Sequence, residues 1–557
     1  MPRLRRGGLA VLLLMLVLAP ACSRDGSTGT IEPGNGPSEQ SGAALGQAAG
    51  SGRITEGSLS EPRTLNPVLV ADPVSEDVSH LVFNGLVTAA PDTAEPRPDL
   101  AASWDVSDDG LTYTFHLRDG VRWHDGEPFS ARDVVFTYDL MMNDRAKSPR
   151  YSRLVERVRN VEAPDEATVT FTLARPDAAF LTTLATFGIV PEHLLATVLP
   201  EDLVANPFGT STIVGTGPFV LRQWVRGDRI VFQQNAQYFK GVPAVQEYVY
   251  DVAATSDELA QGLRDGSIDW AQVDPGTAAV IAGADHLETL SLPSYELVYV
   301  ALQLDPARDA LLADVNLRRA LMLALDRSQL VDVIWNGHAR VAQGVIPPAS
   351  WAATDSTVPL GPDQDEARRL LDAAGWVVGD DGIRVKDGAR LRVTLTTNGD
   401  SPVRRRTAEW LVDRWREIGV EGVLDFERWS AVRGQVVRSG DFQALLLGYR
   451  ADVDPDQSIL WSSDAFFDGF NVGHYAHDAV DEALAAALAT TDRDERRAHY
   501  VTMQDQVLRD LPVIPLVSPD VVVARNERLR GVNFTAGLVR DRATVEQWRP
   551  EMTGDGG

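Results

Sequence analysis

The chain has 557 residues, of which 44% are hydrophobic and 24% charged, and its formal net charge is −27. A chain of this length exceeds what one hydrophobic core usually serves, so two or more lobes are expected. The negative charge argues against nucleic acid or an anionic membrane surface as a partner, and it mildly favours a cationic or neutral ligand.

The N-terminus predicts secretion. Three arginines within the first six residues precede an unbroken apolar run at 9–19, which is typical of a secretory signal and too short to span a bilayer comfortably. Cys22, the only cysteine, follows closely and cannot form an internal disulfide. Its place in "LAPAC" resembles a bacterial lipobox, which implies a lipoprotein signal peptide at 1–21 and lipidation of Cys22. The alternative is a plain signal peptide followed by an incidental cysteine.

Residues 22–53 are rich in Gly and Ser and lack an apolar period, which predicts a flexible tether. A lipid on Cys22, this tether and a globular body would together hold the protein at the outer face of the cytoplasmic membrane. The last residues, 550–557, are predicted to form a tail.

From Ile54 onward the pattern is mixed α/β. Apolar side chains alternate up to Leu117, the chain breaks at Asp119-Gly120, and alternation resumes at Val121, which predicts a hairpin. Ser130 opens a helix with an S-x-x-D capping pattern. Further strands are predicted at 166–173 and 229–235.

The second half of the body begins with a predicted helix at 315–336, which Gly337 ends. The elements expected after it are a strand at 391–397, a helix at 403–418, a buried strand at 442–449, a helix at 478–490, a capped helix from 492 to about 509 and a strand at 513–524. Strands that alternate with helices throughout imply an α/β or α+β architecture with more than one core.

The stretch "GYRADVDPDQS" at 448–458 places Asp452, Asp454 and Asp456 on one loop directly after a predicted buried strand. A metal site, a catalytic acid pair, a solvated turn and a seat for a cationic ligand are all compatible with this pattern. A calcium loop would need more regularly spaced oxygens and a glycine at the bend, which the stretch lacks.

The sequence does not predict catalysis or a cofactor. It contains no G-x-S-x-G elbow, no H-E-x-x-H, no phosphate-binding G-x-x-x-x-G-K-[ST] and no cysteine nucleophile in the body. Paired carboxylates of a secreted hydrolase need only spatial adjacency, so that alternative stays open. His474 and His477 have a possible metal spacing, but loop histidines beside a helix are favoured over a metal site. The Gly-rich run at 214–219 is interpreted as a tight structural turn.

Six segments carry a resemblance to a known family, in the family's order: 60–69, 100–141, 214–221, 317–339, 448–461 and 471–516. The second contains W-x-V-S-D-D-G-L-T-Y-T-F-x-L-R-D-G-V-x-W-H-D-G, which is too long for chance agreement. The body resembles the family 5 extracytoplasmic solute-binding proteins of peptide and nickel ABC importers.

The resemblance implies an α/β, two-lobed periplasmic-binding-protein-like fold of type II, similar to cluster C, with an extra subdomain in lobe one. Lobe one is then expected at 54–293 with a return segment at 513–549, and lobe two at 294–512. A ligand is expected in the cleft between the lobes, which would close about a hinge.

The same resemblance implies the site residues. Asp452 matches an aspartate that pairs with the α-amino group of a peptide in relatives. Arg405 and Arg406 match an arginine pair near the ligand carboxylate. Tyr299 and Trp429 lie in segments that face the cleft. Asp454 and Asp456 are expected to shape the loop by bonding local backbone.

The predicted function is therefore a lipid-anchored, monomeric solute-binding protein without enzymatic activity. It would capture a small ligand, in the first place a peptide, and deliver it to the permease and ATPase of an ABC importer. Relatives of this fold bind nickel chelates, oligosaccharides or opines, and these ligands remain alternatives.

Overall fold

A computed structural model describes residues 52–355, 357, 358, 361–468, 470–529, 532, 534, 535 and 545–548. The predicted signal peptide, Cys22, nearly all of the tether and the tail lie outside these residues, which belong to one compact unit that starts at residue 50. Among the described helices, none has both the length and the apolar character that a membrane crossing requires.

The first part of the body contains twelve strands and seven helices. In chain order these are β1 Arg53–Ser58, α1 Pro73–Ser79, β2 Val87–Ala89, β3 Pro96–Pro98, β4 Ala101–Val106, β5 Thr112–Leu117, α2 Ala131–Met141, α3 Tyr151–Arg157, β6 Val158–Asp165, β7 Thr168–Leu173, α4 Phe180–Thr183, α5 Glu192–Leu195, β8 Phe219–Val225, β9 Arg229–Gln234, β10 Glu247–Val252, α6 Ser256–Asp265, β11 Trp270–Val273, α7 Pro275–Ile281 and β12 Leu287–Leu292.

In the second part, the described residues form ten strands and ten α-helices. They are β13 Glu296–Leu302, α8 Val315–Leu323, α9 Arg327–Trp335, β14 Ala339–Val341, α10 Gln364–Ala373, β15 Val377–Val378, β16 Arg384–Lys386, β17 Ala389–Arg390, β18 Arg392–Asn398, α11 Pro402–Glu417, β19 Glu421–Glu427, α12 Trp429–Ala431, α13 Val437–Ser439, β20 Ala444–Arg450, α14 Ser458–Trp461, α15 Ala465–Asp468, α16 Asp478–Ala489, α17 Arg493–Asp510, β21 Val513–Pro519 and β22 Val521–Asn526.

Lobe one is built on a seven-stranded sheet with the order β12-β22-β11-β1-β10-β9-β8. Strand β1 lies parallel to both β10 and β11, and the other neighbours are antiparallel. Ile54, Tyr248, Trp270 and Val523 are buried in its core, together with the residues of a smaller sheet. This core removes enough apolar surface from water to support a lobe by itself.

The smaller sheet is the four-stranded antiparallel unit β4-β5-β7-β6. Tyr113, Phe115 and Leu117 are buried on one face of β5, as their alternation predicts. The predicted hairpin to Val121 is wrong, because β5 pairs along its length with β4 and β7. The turn after Leu117 leads instead into a loop, because β4, which precedes β5 in the chain, and β7, which follows later, occupy both edges of β5. Ser130 and Asp133 form the predicted capping box of α2.

Lobe two is built on a six-stranded sheet with the order β14-β21-β13-β20-β18-β19. Its core includes the fully buried Trp415 of α11 and Tyr500 of α17. The predicted helix at 315–336 is two helices, α8 and α9. They separate at Asp326, whose carboxylate accepts the N–H of Ser328 and caps the second helix. An aspartate favours such a cap over a helix interior, which explains the break.

The chain passes between the large sheets twice. The first passage lies between β12, which ends at Leu292, and β13, which begins at Glu296. The second lies between β21 and β22, at Asp520. Residues 513–519, predicted to return to lobe one, therefore belong to lobe two, because β21 pairs with β13 and β14. Every residue of β21 is buried, so the strand is fixed in that sheet.

Candidate functional site

The acidic loop leaves the end of β20 at the boundary between the lobes. Strand β20 is anchored by its antiparallel pairing with β13, and its first four residues are buried. The N–H of Ala451 still donates to the carbonyl of Tyr295, at 2.8 Å, before the loop turns away. The loop then meets helix α3 of lobe one, which carries arginines toward it.

Asp452 is the exposed member of the loop. Its Oδ2 accepts a hydrogen bond from Arg153 of lobe one at 2.6 Å, and 53% of its side chain remains accessible. Its Oδ1 makes no hydrogen bond with any described residue. A carboxylate oxygen has two lone pairs, so Asp452 retains acceptor capacity toward the space beside it.

Asp454 is buried, with 2% of its side chain accessible, and forms a two-pronged ion pair with Arg496. The two N···O distances are 2.7 and 3.0 Å. The hydroxyl of Thr182 in lobe one also donates to it at 3.2 Å. Its Oδ1 accepts the N–H of Asp456 within the loop, at 3.0 Å, as expected for a residue that shapes a turn.

The side chain of Asp456 is 9% accessible, and it bonds both locally and across the lobes. It accepts the N–H and hydroxyl of Ser458, at 3.0 and 2.5 Å. Arg157 donates to it at 2.9 Å and to Asp177 of lobe one at 3.0 Å. Burial opposes ionisation of Asp456, but Arg157 and Ser458 outweigh it and hold its pKa below the usual value. Burial instead raises the pKa of Asp177, and the neighbouring Asp456 adds to this effect.

A cavity of about 350 Å³ lies beside Asp452, with walls from both lobes. Lobe one contributes α1, β2 and parts of α3 and α4, and the segment 450–453 with Tyr295 contributes the opposite wall. Clefts between lobes are the usual place for a small-molecule site. The cavity mixes apolar side chains such as Phe83, Val87 and Phe187 with charged ones.

The charges on the lobe-one wall are largely paired with each other. Arg150 donates to Glu76 at 3.0 Å, and its guanidinium lies 3.9 Å from the ring centre of Phe187. Burial opposes ionisation of Glu76, but the charges of Arg150 and His80 hold its pKa below the usual value. Asp99 is buried and lies 2.6 Å from the ammonium of Lys240.

The Gly-rich run at 214–219 supports this wall. A side chain at Gly215 would place its Cβ 1.9 Å from the carbonyl oxygen of Val82, so only glycine fits there. The N–H of Gly217 donates to the same carbonyl, and the Thr216 hydroxyl donates to Asn84, a cavity residue. The predicted role of this run as a tight structural turn agrees with these contacts.

The structure does not bring the other four predicted ligand residues to this cavity. Tyr299 is buried and lines a separate small pocket with Trp461, and burial raises its pKa to about 12. The side chain of Trp429 is exposed at the start of α12, and the backbone N–H of Trp429 donates to the Asp400 carboxylate. A role in ligand binding for these residues stays a prediction.

Arg405 and Arg406 lie on α11, away from Asp452. The guanidinium of Arg405 lies over the ring of Phe426, at 4.4 Å, and donates to the carbonyl of Gly399. Arg406 is exposed and donates to the carbonyl of Ile334 at 3.4 Å. The carboxylate-binding role predicted for this pair likewise stays a prediction.

The two histidines with a possible metal spacing have structural contacts. His477 caps α16 by accepting the N–H of Ala479, and His474 stacks on Phe466 at 5.1 Å between ring centres. Over the described residues, no group of three His, Cys, Asp or Glu side chains is arranged to hold a metal ion.

Sequence reasoning missed the arginines of lobe one that meet the acidic loop. Arg150, Arg153 and Arg157 recur at spacings of three and four residues around α3. Such a spacing places basic side chains on one helix face. The basic face of this helix and the loop with three acids carry opposite charge, which could have indicated a contact between them. Sequence alone did not show that the two segments meet.

Known proteins share both the sequence and the fold. The family described as "Bacterial extracellular solute-binding proteins, family 5 Middle" matches residues 95–469. The oligopeptide-binding protein AppA of Bacillus subtilis is 28% identical over 545 residues, which is 97% of each chain. Its structure in complex with a nonapeptide superposes with a TM-score of 0.73 and covers 90% of this chain and 99% of AppA.

Two further relatives widen the comparison. Protein XP55 of Streptomyces lividans is 35% identical over 462 residues, which is 82% of each chain. NikZ of Campylobacter jejuni, solved in complex with Ni(L-His), is 28% identical with a TM-score of 0.72 and covers 87% of this chain and 96% of NikZ. The predicted two-lobed α/β fold is confirmed, and the chain belongs to the family 5 bacterial extracellular solute-binding proteins.

Proposed function

We propose that the protein captures peptides between its lobes and delivers them, chemically unchanged, to an ABC importer. The observation that carries the proposal is Asp452, whose Oδ1 is unengaged by described residues on the wall of the cavity between the lobes. Relatives support the ligand class, since AppA is named an oligopeptide-binding protein and is solved with a nonapeptide. Other similar proteins are named ABC transporter peptide-binding proteins.

The chemistry of Asp452 suits the amino end of a peptide. An ammonium carries three N–H donors, and a carboxylate accepts them in short, charge-assisted hydrogen bonds. The half-exposed carboxylate would lose water as the ligand covers it, and the lower local dielectric strengthens the pair. Arg153 orients the carboxylate through Oδ2 while Oδ1 receives the ligand.

A second candidate ligand is a nickel chelate. NikZ, which is solved with Ni(L-His), has the same sequence identity to this chain as the peptide-bound AppA. The cavity wall also contains His80. Native mass spectrometry of protein purified without added ligand separates the two, because a retained peptide and a retained metal chelate differ in mass and isotope pattern.

Attachment to the membrane is the part of the proposal that rests on sequence alone. The lipobox-like position of Cys22 supports acylation, and the predicted tether would leave the body free to bind solute. Replacing Cys22 with Ser should move the protein from the membrane fraction to the soluble fraction with no change in thermal stability. Wild-type protein that is soluble and carries no acyl mass would contradict the anchor.

Calorimetry on four combinations tests the role of Asp452. We expect Asp452→Asn to weaken peptide binding at least tens of times, because loss of one partner of a desolvated charge pair costs on the order of 2–5 kcal/mol. N-acetylating the peptide should cause a similar loss in the wild-type protein and add little in the variant, since the contact is already absent.

The matched control is Asp441→Asn, which removes an exposed acid of lobe two outside the cavity and should leave affinity unchanged. Equal sensitivity of wild type and Asp452→Asn to acetylation would remove Asp452 from the site. Hydrolysis of the peptide by stringently purified protein would favour the hydrolase alternative.

A further inference from the structure

The cavity wall carries more ionisable residues than the binding of one ammonium requires. Asp99 pairs with Lys240, Arg150 with Glu76, and Arg153 with Asp452. The remaining ionisable wall residues are Asp77, His80, Tyr295 and Arg450. The first three each have an interaction within the protein.

Arg450 is different. It is exposed on the lobe-two wall, and no carboxylate of a described residue lies within 4.0 Å of its guanidinium. Its nearest acid by strand register is Glu296, which stands opposite it in the β13–β20 ladder. Glu296 is half-buried and makes no ion pair with it. Burial keeps the pKa of Glu296 raised although Arg404 and Arg450 oppose the effect.

We propose that Arg450 is a specificity-determining residue, which selects ligands that carry a carboxylate close to their amino end. This inference rests on the proposed function and narrows it to acidic peptides. A guanidinium presents a planar fork of donors that matches a carboxylate in two parallel hydrogen bonds. On the lobe-two wall, Asp452 can therefore accept hydrogen bonds from an ammonium while Arg450 donates hydrogen bonds to an anion.

The spacing of the two residues limits where the ligand carboxylate lies. Two residues of extended chain span at most roughly 7 Å, so the Cα atoms of Arg450 and Asp452 lie no farther apart than that. A peptide whose ammonium meets Asp452 therefore presents to Arg450 the side chain of its first or second residue. Glutamate or aspartate at either position would place a carboxylate within reach.

The experiment uses alanine di-, tri-, penta- and nonapeptides that carry Glu or Gln at the first or second position. Isothermal calorimetry at low salt measures their affinity for the full chain. We expect wild-type protein to prefer Glu over the isosteric Gln about tenfold at one of the two positions, which corresponds to about 1.4 kcal/mol. The preference should decline as salt is added, because Arg450 is exposed and its charge is screened.

Arg450→Gln should abolish the preference, so that within the variant the affinities for the matched Glu and Gln peptides become equal. Arg392→Gln is the matched control, since Arg392 is an exposed arginine of β18 outside the cavity whose side chain makes no hydrogen bond with a described residue. A preference that persists in Arg450→Gln, or its absence in wild type while the Gln peptides bind, would overturn the inference and leave peptide binding intact. If no peptide binds, neutral or acidic, both the inference and the proposed function are wrong.

Discussion

The two ends of the acidic loop carry the same charge and meet the same kind of partner, yet they differ in environment. Asp452 is half-exposed and meets Arg153 through one oxygen at the cavity wall. The side chains of Asp454 and Asp456 are only 2% and 9% accessible, and their arginines also bond other polar groups. Burial therefore assigns the roles of the three acids. An exposed pair exchanges partners at small cost, whereas a buried pair is held by the penalty of leaving either charge alone.

The largest effect is expected at the buried end. Arg496→Met should lower the free energy of unfolding by about 3–5 kcal/mol, because it leaves the Asp454 carboxylate buried without a cation. Urea denaturation followed by circular dichroism measures the change. The double variant Asp454→Asn/Arg496→Met should lose less than the sum of the single losses, since the uncompensated charge is then absent as well. A loss below about 1 kcal/mol in Arg496→Met would show that the buried pair does not differ from the exposed one.

The next largest effect is the stabilisation by bound peptide, which depends on Asp452 at the cavity wall. A peptide at a hundredfold excess over its Kd should stabilise wild-type protein by about 2.7 kcal/mol. At the same peptide concentration Asp452→Asn should gain far less, because most of its sites remain empty. Thermal melting with and without peptide measures both. The unliganded variant should melt near the wild-type temperature. A large loss there would place Asp452 with the structural acids instead.

The sequence predicts a contact well when the two partners lie close together along the chain. The predicted caps at Ser130 and Asp492 and the buried strand before Gly448 rest on neighbouring residues, and the structure shows each of them. The same local reasoning foresaw that Asp454 and Asp456 bond the loop backbone.

Two of the misses involve partners distant in the chain, and a third depends on a local cap. Arg157 and Asp456 are 299 residues apart in sequence, and only the packed lobes bring them together. Strand β21 was assigned to the wrong lobe because its apolar pattern suits either sheet, and pairing with β13 decides the matter. The helix at 315–336 was overextended because its apolar spacing continues through Asp326, whose capping bond ends that continuity.

A smaller effect should appear in the dependence of stability on pH. The depressed pKa of Asp456 means that its stabilising contribution is present above the ordinary carboxyl range and is lost as pH falls through its folded pKa. The raised pKa of Asp177 acts in the opposite sense, because ionising it costs stability as pH rises from the ordinary value through the raised one. Relative to wild type, Asp456→Asn should therefore flatten the loss of stability on acidification, and Asp177→Asn should steepen it.

Urea midpoints between neutral and acidic pH, taken as differences from wild type, measure these slopes and cancel the contributions of the other carboxyl groups. Asp441→Asn is the control, since its side chain is exposed and makes no hydrogen bond with a described residue. Slopes of the same sign in Asp456→Asn and Asp177→Asn would contradict the opposite assignments. Because both acids bond Arg157, the double variant should not equal the sum of the two.

The smallest effect on stability should come from the pair at the cavity. Arg153→Met should change the free energy of unfolding by less than about 1 kcal/mol, because 35% of the Arg153 side chain and 53% of that of Asp452 remain in contact with solvent. Water can solvate the Asp452 carboxylate after the guanidinium is lost. It cannot reach the Asp454 carboxylate in the same way. Urea denaturation of Arg153→Met and Arg496→Met under the same conditions compares the two pairs directly. A loss of similar size in the two variants would mean that Arg153 stabilises the protein as much as the buried pair does.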